Sequence, residues 1–424
     1  MGSLARGPSD RAPAPCDDSG MVRVARALEQ ADRLLAGEPI AAPPPSAFRT
    51  SVALGDPQAA AGKLFALLDH HGLLGDDGWL RAGVQLISIG DHFDFGTRAQ
   101  GTIDDARVDG PRFLRWLAAH GPEQVVILLG NHDAARVMEL AFVDDARFEE
   151  AAPLAIELVA LRDTDRAAYA RRLGEYAAAF PELPGPGLVQ RDFAAFTTAQ
   201  RALVIELLLA GRIRLAAAAT IGSAPLLLTH AGVTARELAL LGAADDRDPR
   251  SIAATLDRFL SDAVAEVAPA WRAGRLAALS LAPLHVAGGI GADGDATLPE
   301  GGGLLYHRPN DPERPGADRA WEQEQVRPRR FHPRRLPRGL IQAVGHTGHA
   351  KCVADLVRWH DRDLQEVPAG LRTLRVHGDD VKYQLGVTPP AADEAIVYMI
   401  DPTLHRVADV TSVELLALDP GSIA

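Results

Sequence analysis

Val84-Gln85-Leu86-Ile87-Ser88-Ile89-Gly90-Asp91-His92-Phe93-Asp94-Phe95-Gly96 is the stretch whose reading decides the fold. A mostly apolar, β-favouring run enters a Gly-Asp turn, the pattern of a buried strand that delivers carboxylates to the rim of a sheet. The same grammar recurs along the chain. Ser51-Val52-Ala53-Leu54 leads into Gly55-Asp56-Pro57-Gln58, and Val125-Val126-Ile127-Leu128-Leu129 into Gly130-Asn131-His132-Asp133. Pro225-Leu226-Leu227-Leu228-Thr229 leads into His230-Ala231-Gly232, and Leu340-Ile341-Gln342-Ala343-Val344 into Gly345-His346-Thr347-Gly348-His349. A core has no use for so many oxygen and imidazole groups along one edge, and α/β proteins place their chemistry at the carboxyl ends of strands. The set reads as a metal site.

Between these strands the pattern is helical. Leu64, Leu67 and Leu68 recur at helical spacing after Pro57, and Phe113, Leu114 and Leu117 do so after a polar loop from Thr97 to Asp109. From His132 to Pro225 the sequence is rich in Ala, Leu, Arg and Glu, broken at Gly185-Pro186-Gly187, and predicts a helical insertion over about 134–220 that walls the site. Ile252, Leu256, Phe259, Leu260 and Val264 predict another amphipathic helix over Ser251 to Arg272. Residues 286–338, rich in Gly, Pro, Asp and Arg, read as a long loop. Leu371 to Val376, Ala395 to Ile400 and Val413 to Leu418 read as hairpin-like antiparallel strands closing a sheet. The expectation is one α/β catalytic domain over 47–420. It follows an N-terminal extension, 1–46, made of a disordered start to about Gly20, a helix around Val22 to Leu35 and a Pro-rich linker from Ala41 to Ser46.

The bulk properties narrow the function. A chain of 424 residues with 47% hydrophobic content can bury a large core. A net charge of -12 argues against a general nucleic-acid binder, because phosphate backbones are gripped by net positive surfaces, and leaves only a local basic patch for such a role. Cys16 and Cys352 alone make neither a disulfide framework nor a zinc knuckle, which fits a reducing compartment. The sequence contains no apolar run of about 18 residues. Its start, with Arg6, Asp10, Arg11, Asp17 and Asp18, lacks the apolar centre of a signal peptide, so a cytoplasmic protein away from membranes is expected.

Two adjacent divalent metals need one carboxylate to bridge them and N or O ligands on either side. Asp91 is the natural bridge, Asp56 and Gln58 serve a first metal, and Asn131, His230 and His346 a second, with His349 reaching back toward the first. Metals about 3.5–4 Å apart activate a hydroxide and neutralise charge developing on phosphorus, so hydrolysis of a phosphate ester is the reaction the set fits. The leaving oxygen then needs a proton, and His132, one residue beyond Asn131 and held by Asp94, supplies a general acid.

The ordered series Gly-Asp-x-Gln, Gly-Asp-x-x-Asp-x-Gly, Gly-Asn-His-Asp, Thr-His-Ala-Gly and Gly-His-Thr-Gly-His resembles that of the calcineurin-like metallophosphoesterases. Closest is the branch of phosphoprotein phosphatases and diadenosine tetraphosphate hydrolases, over about Ser51 to Leu418. The resemblance implies an αββα four-layer sandwich with a dinuclear Mn, Fe or Zn site. It carries metal roles to Asp56, Asp91, Asn131, His230 and His346, and the acid pair to His132 and Asp94. The departures matter too. Gln58 stands where the family has an imidazole, an amide donor that shifts preference toward Mn or Mg. Phe95 and Leu129 replace basic residues, so the phosphate clamp must come from elsewhere, with Arg136 and Arg308 as candidates.

A phosphorylated protein or nucleotide is the implied substrate. The Gly-Asp-x-x-Asp motif leans toward phosphoprotein-phosphatase-like activity and Gly-Asn-His-Asp toward dinucleoside polyphosphate hydrolysis. A phosphodiesterase or nuclease, and a degenerate, non-catalytic phosphate-binding module, are the other readings. Plainer roles stand beside these: Asp133 as the cap of the following helix, His349 as a surface histidine, and the Arg327 to Arg338 run as a solvated loop.

Overall fold

The computed structural model describes residues 18–96, 101–288, 301–313, 329–360, 369–391 and 393–424. It is a mixed α/β structure built on two large sheets. In the first the strand order is Leu416–Leu418, Thr50–Leu54, Val84–Ser88, Val125–Leu128, Ile213–Arg214. The last four run parallel and Leu416–Leu418 is antiparallel to its neighbour. In the second the order is Asp380–Leu385, Arg372–His377, Ala395–Met399, Ile341–Val344, Ala224–Thr229, Ala216–Ile221, parallel in its three central strands and antiparallel toward both edges.

The period of two along each strand assigns its side chains to two different cores. Ala53, Ile87, Ile89, Val126 and Leu128 of the first sheet share one buried cluster with Ala217, Leu226, Leu228, Ala343, Ile396 and Tyr398 of the second, so the two sheets face each other. The alternate residues Val52, Leu54, Leu86, Val125 and Ile127 turn to helices Ala61–His70 and Ile103–Ala118. Ala27 and Ala31 of the first helix, Asp18–Leu35, are fully buried in the same cluster, which ties the N-terminal extension into the core. On the second sheet Leu227 packs with Leu256 and Leu260 of helix Pro249–Arg272, while Val344, Val397 and Met399 pack with Cys352 and Leu356.

Several expectations are corrected. The helical insertion ends earlier than 220, because its last helix, Thr198–Leu209, is followed by strands Ile213–Arg214 and Ala216–Ile221. The alanines of Ala216–Ile221 favour helix intrinsically, but pairing with Ala224–Thr229 along the whole strand overrides that preference. Ala395–Met399 is antiparallel to Arg372–His377 but parallel to Ile341–Val344, and Leu416–Leu418 leaves for the other sheet, so the final third is no simple meander. The polar loop after Phe95 gives way to helix at Ile103. Within 286–338, His285–Val286 pairs with Gly302–Gly303, and Arg308–Pro309 with Arg330–Phe331. Cys16, residues 1–17 of the expected disordered start and Arg327 lie outside the described residues, while the last part of that start, to Gly20, is already helical in Asp18–Leu35. No helix among the described residues is long and apolar enough to cross a membrane.

Leu228 is fully buried between the two sheets. Leu228→Ala is expected to cost about 2–5 kcal/mol, read as a lower chemical-denaturation midpoint with an unchanged denaturant slope.

Candidate metal centre

The strand ends that carry the site are bent by unusual backbone. Asp91, Asp94 and His346 all hold positive φ, at 60°, 65° and 60°, a conformation that non-glycine residues adopt only when their surroundings force it. At the Asp91 turn the holding group is the Asp133 carboxylate. It accepts the backbone N–H groups of Gly130 and Asp91 at 2.9 Å on Oδ2, and that of His92 at 2.9 Å on Oδ1. The His92 ring lies 3.0 Å from the same carboxylate and reaches Ser88 Oγ at 2.9 Å on its other side. His92 is therefore buried in the framework, and Asp133 does more than cap its own helix. Gly90 and Gly130 are in direct contact, and a Cβ on Gly130 would overlap both the amide nitrogen and Oδ1 of Asp91.

Asp91, His230 and His346 each offer a ligand atom within 4.8 Å of the others, and all three are buried. His230 Nδ1 lies 2.8 Å from the Ile89 carbonyl, and His346 Nε2 lies 2.9 Å from that of Tyr306. A carbonyl only accepts, so each ring donates there and keeps the lone pair of its opposite nitrogen, the arrangement that fixes a metal-ligating histidine. For His230 that nitrogen is Nε2, 3.5 Å from Asp91 Oδ1 and 3.0 Å from Asn131 Oδ1. With the Asn131 amide oxygen so turned, two lone pairs face each other, a contact that a shared cation relieves.

Asp56 joins this group through His346, whose backbone N–H lies 2.9 Å from both its oxygens. Burial, then the charges of Asp401 and Asp91, push the Asp56 carboxyl well above its ordinary range. Crowded, desolvated carboxylates of this kind suit a cation, and the mixed N/O donor set suits Mn, Fe or Zn. Gln58 is half-buried and donates its amide to the Phe93 carbonyl at 3.1 Å, leaving Oε1 as its possible donor atom. His349 is buried at the head of helix His349–Asp355, which excludes the surface reading, and the close cluster does not include it.

Beside this cluster stands a His–Asp pair. His132 Nδ1 is 2.9 Å from Asp94 Oδ2, and its Nε2 is 3.8 Å from Asp91 Oδ2. Burial alone would lower the imidazole, but Asp91 and Asp94 outweigh it and raise its pKa to about 9. Burial likewise works against Asp94, yet Arg136 and His132 hold its carboxyl below the usual range. Phe193, from the insertion, meets the His132 ring edge-on at 5.6 Å, and the Ala195 N–H reaches Asp94 Oδ1 at 3.1 Å.

Arg136 corrects one expectation. It is fully buried and its guanidinium is committed to Asp94, Gln200 and the His132 carbonyl, so it cannot grip a substrate phosphate. Arg308 is half-buried, 5.2 Å above the Tyr306 ring, and Tyr306 in turn touches His346. Sequence reasoning missed its companion: Lys351, exposed at the surface, lies close enough that the Arg308 charge lowers its amine pKa. It also missed Asp401, a buried carboxylate that follows strand Ala395–Met399 and accepts the Thr403 N–H at 2.6 Å. The apolar run ending in Ile400-Asp401 is the same strand-then-Asp signal found elsewhere.

Comparison with protein-family models, curated proteins and solved structures returned no match.

Burial raises the Asp133 carboxyl, but His92 and the backbone N–H groups lower it further, to about 2. A depressed carboxylate stabilises the fold above its unfolded value of 3.8 and loses that contribution as pH falls toward 2. Asp133→Asn is therefore expected to cost on the order of 2 kcal/mol at neutral pH. The difference from the parent should vanish across that acid window, as followed by denaturation at stepped pH.

Proposed function

We propose that this protein is a metal-dependent phosphoester hydrolase, phosphoprotein-phosphatase-like, of the calcineurin-like metallophosphoesterase type. Its facing sheets with helices on both outer surfaces support the αββα four-layer reading. The observation that carries the proposal is the pairing of two different machines at one rim. Carbonyl-anchored imidazoles converge with Asp91, and an independent His132–Asp94 pair stands beside them.

Asp91, Asn131, His230 and His346, with Asp56 and Gln58 adjacent, are the residues that would hold two divalent cations, Mn first and Fe, Zn or Mg as alternatives. Such ions supply Lewis-acid polarisation and a nucleophile at neutral pH when bound. The chain's own groups do the rest. Asp94 fixes the His132 ring and favours its protonated form, so a proton is available at Nε2 for the leaving oxygen. Arg308 and Lys351 are the cations that would orient a phosphoryl group, in place of the buried Phe95 and Leu129. The substrate class is a phosphorylated protein or nucleotide, in a reducing, cytoplasmic setting.

A rival reading draws on Gln58, whose amide is turned to Phe93: a phosphate-binding module with a decayed first metal site. Elemental analysis after Mn loading and release of p-nitrophenol from p-nitrophenyl phosphate separate the two. The hydrolase should bind metal and turn over, and Asp91→Asn should abolish turnover while unfolding stays cooperative. A metal-loaded protein with no activity on any phosphoester would sink the proposal.

A further inference from the structure

Arg372 is a fully buried cation that meets only neutral groups. Its register against Met399, and that of Leu374 against Tyr383, place these four on one face of the second sheet, which Cys352 and Leu356 cover. Its Nη2 donates to the Asp401 carbonyl at 2.6 Å and to that of Met399 at 3.5 Å. Nε and Nη1 are buried and make no hydrogen bond of ordinary geometry, and the buried Tyr383 hydroxyl beside them makes none either. Among the described residues no carboxylate pairs with the guanidinium, and that of Asp401 is taken by the Thr403 N–H at 2.6 Å. The Cys352 thiol, which donates to the Thr347 carbonyl at 3.7 Å, and the Tyr383 phenol both feel the guanidinium charge, yet burial pushes both pKa values up. Neither supplies the missing negative charge.

A desolvated charge without a partner is among the costliest things a core can hold, and a buried donor left unmet calls for a group that fills it. Water can satisfy a donor, but only an anion also cancels the charge. We propose that Arg372 and the Tyr383 hydroxyl, walled by Leu374, Met399 and Cys352, form an internal binding site for one small monovalent anion, chloride or a halide like it. N–H and O–H donors border the position and no carboxylate competes for them. One guanidinium balances one negative charge, and apolar walls favour a weakly hydrated halide over sulfate or phosphate, whose second charge finds no cation there. The site backs onto the candidate metal centre. Arg372 holds the carbonyl of Asp401, whose charge reaches Asp56, and Cys352 donates to the Thr347 carbonyl next to His346. Filling it therefore stabilises the fold and the loops under the metal ligands, independently of any hydrolase activity.

The test starts from the full chain dialysed into sodium gluconate, an anion too large to enter, and titrates in chloride or bromide at constant ionic strength. Once the site begins to fill, the melting temperature should rise by about 1–2 °C for each tenfold increase in halide, the mass-action response of a ligand that binds only the folded state. Arg372→Met removes the charge with a side chain of similar length, a change that buried arginines often tolerate, and should abolish the halide dependence. Tyr383→Phe removes one donor and should move half-saturation to about ten-fold higher halide. It decides the question if Arg372→Met does not fold. The direct readout is a crystal grown in bromide, where anomalous density should lie within hydrogen-bond distance of the Arg372 guanidinium and the Tyr383 hydroxyl. No halide dependence in the parent, the same dependence in both variants, or a water in place of bromide would overturn the inference.

Discussion

One carboxylate holds the site together. Asp133 gathers the N–H groups of Gly130, Asp91 and His92 onto two oxygens, and so clamps the turn after Val84–Ser88 to the turn after Val125–Leu128. Each of those turns contains a glycine whose missing side chain is what allows the contact. Parallel neighbours in a sheet bring their carboxyl ends to one edge, but they do not by themselves bring side chains within ligand distance. The clamp does that, and its low pKa follows from how many donors it satisfies while buried. A uniformly apolar strand end would leave those N–H groups without partners.

The strained backbone then acquires a reason. Asp91, Asp94 and His346 occupy a left-handed conformation worth on the order of 1–3 kcal/mol each, and each is locked by more than one partner. Asp91 Oδ1 accepts the His132 N–H at 2.8 Å, Asp94 is held on both oxygens, and the His346 N–H is bound by Asp56. Asp91, Asp94 and His346 are three of the six non-glycine residues with positive φ among those described; Ser223, Asp393 and Thr403 are the others. Elsewhere the two sheets follow ordinary alternation.

Much of this was legible in the sequence, and the limits are physical. Strand-end motifs are local, so the runs ending at Asp56, Asp91, Asn131, His230 and His346 could be read, and parallel pairing aligns the first three within one sheet and the last two within the other. Ala216–Ile221 could not, because its identity as a strand comes from a partner and contradicts its composition. Arg136 was misjudged for a related reason: an arginine near phosphate-type motifs suggests a clamp, and only packing reveals that Gln200, sixty-four residues away, has taken its donors. Lys351 and Asp401 carry signals of the right kind, but nothing local says that either comes near Asp56 or Arg308.

The insertion explains the most conspicuous departure in the motif. Phe95 is buried in a small cluster with Ile103, Ala106, Ala194 and Ala195, so the position just after the Gly-Asp-x-x-Asp motif faces the insertion. A basic residue there would be a desolvated charge pressed among alanines, at several kcal/mol. The same segment that excludes it sends Phe193 onto His132 and the Ala195 N–H onto Asp94. Support for the acid and loss of a cation at that edge are thus two consequences of one piece of packing. Arg308 and Lys351, the cations of the proposed phosphate contact, stand near His346.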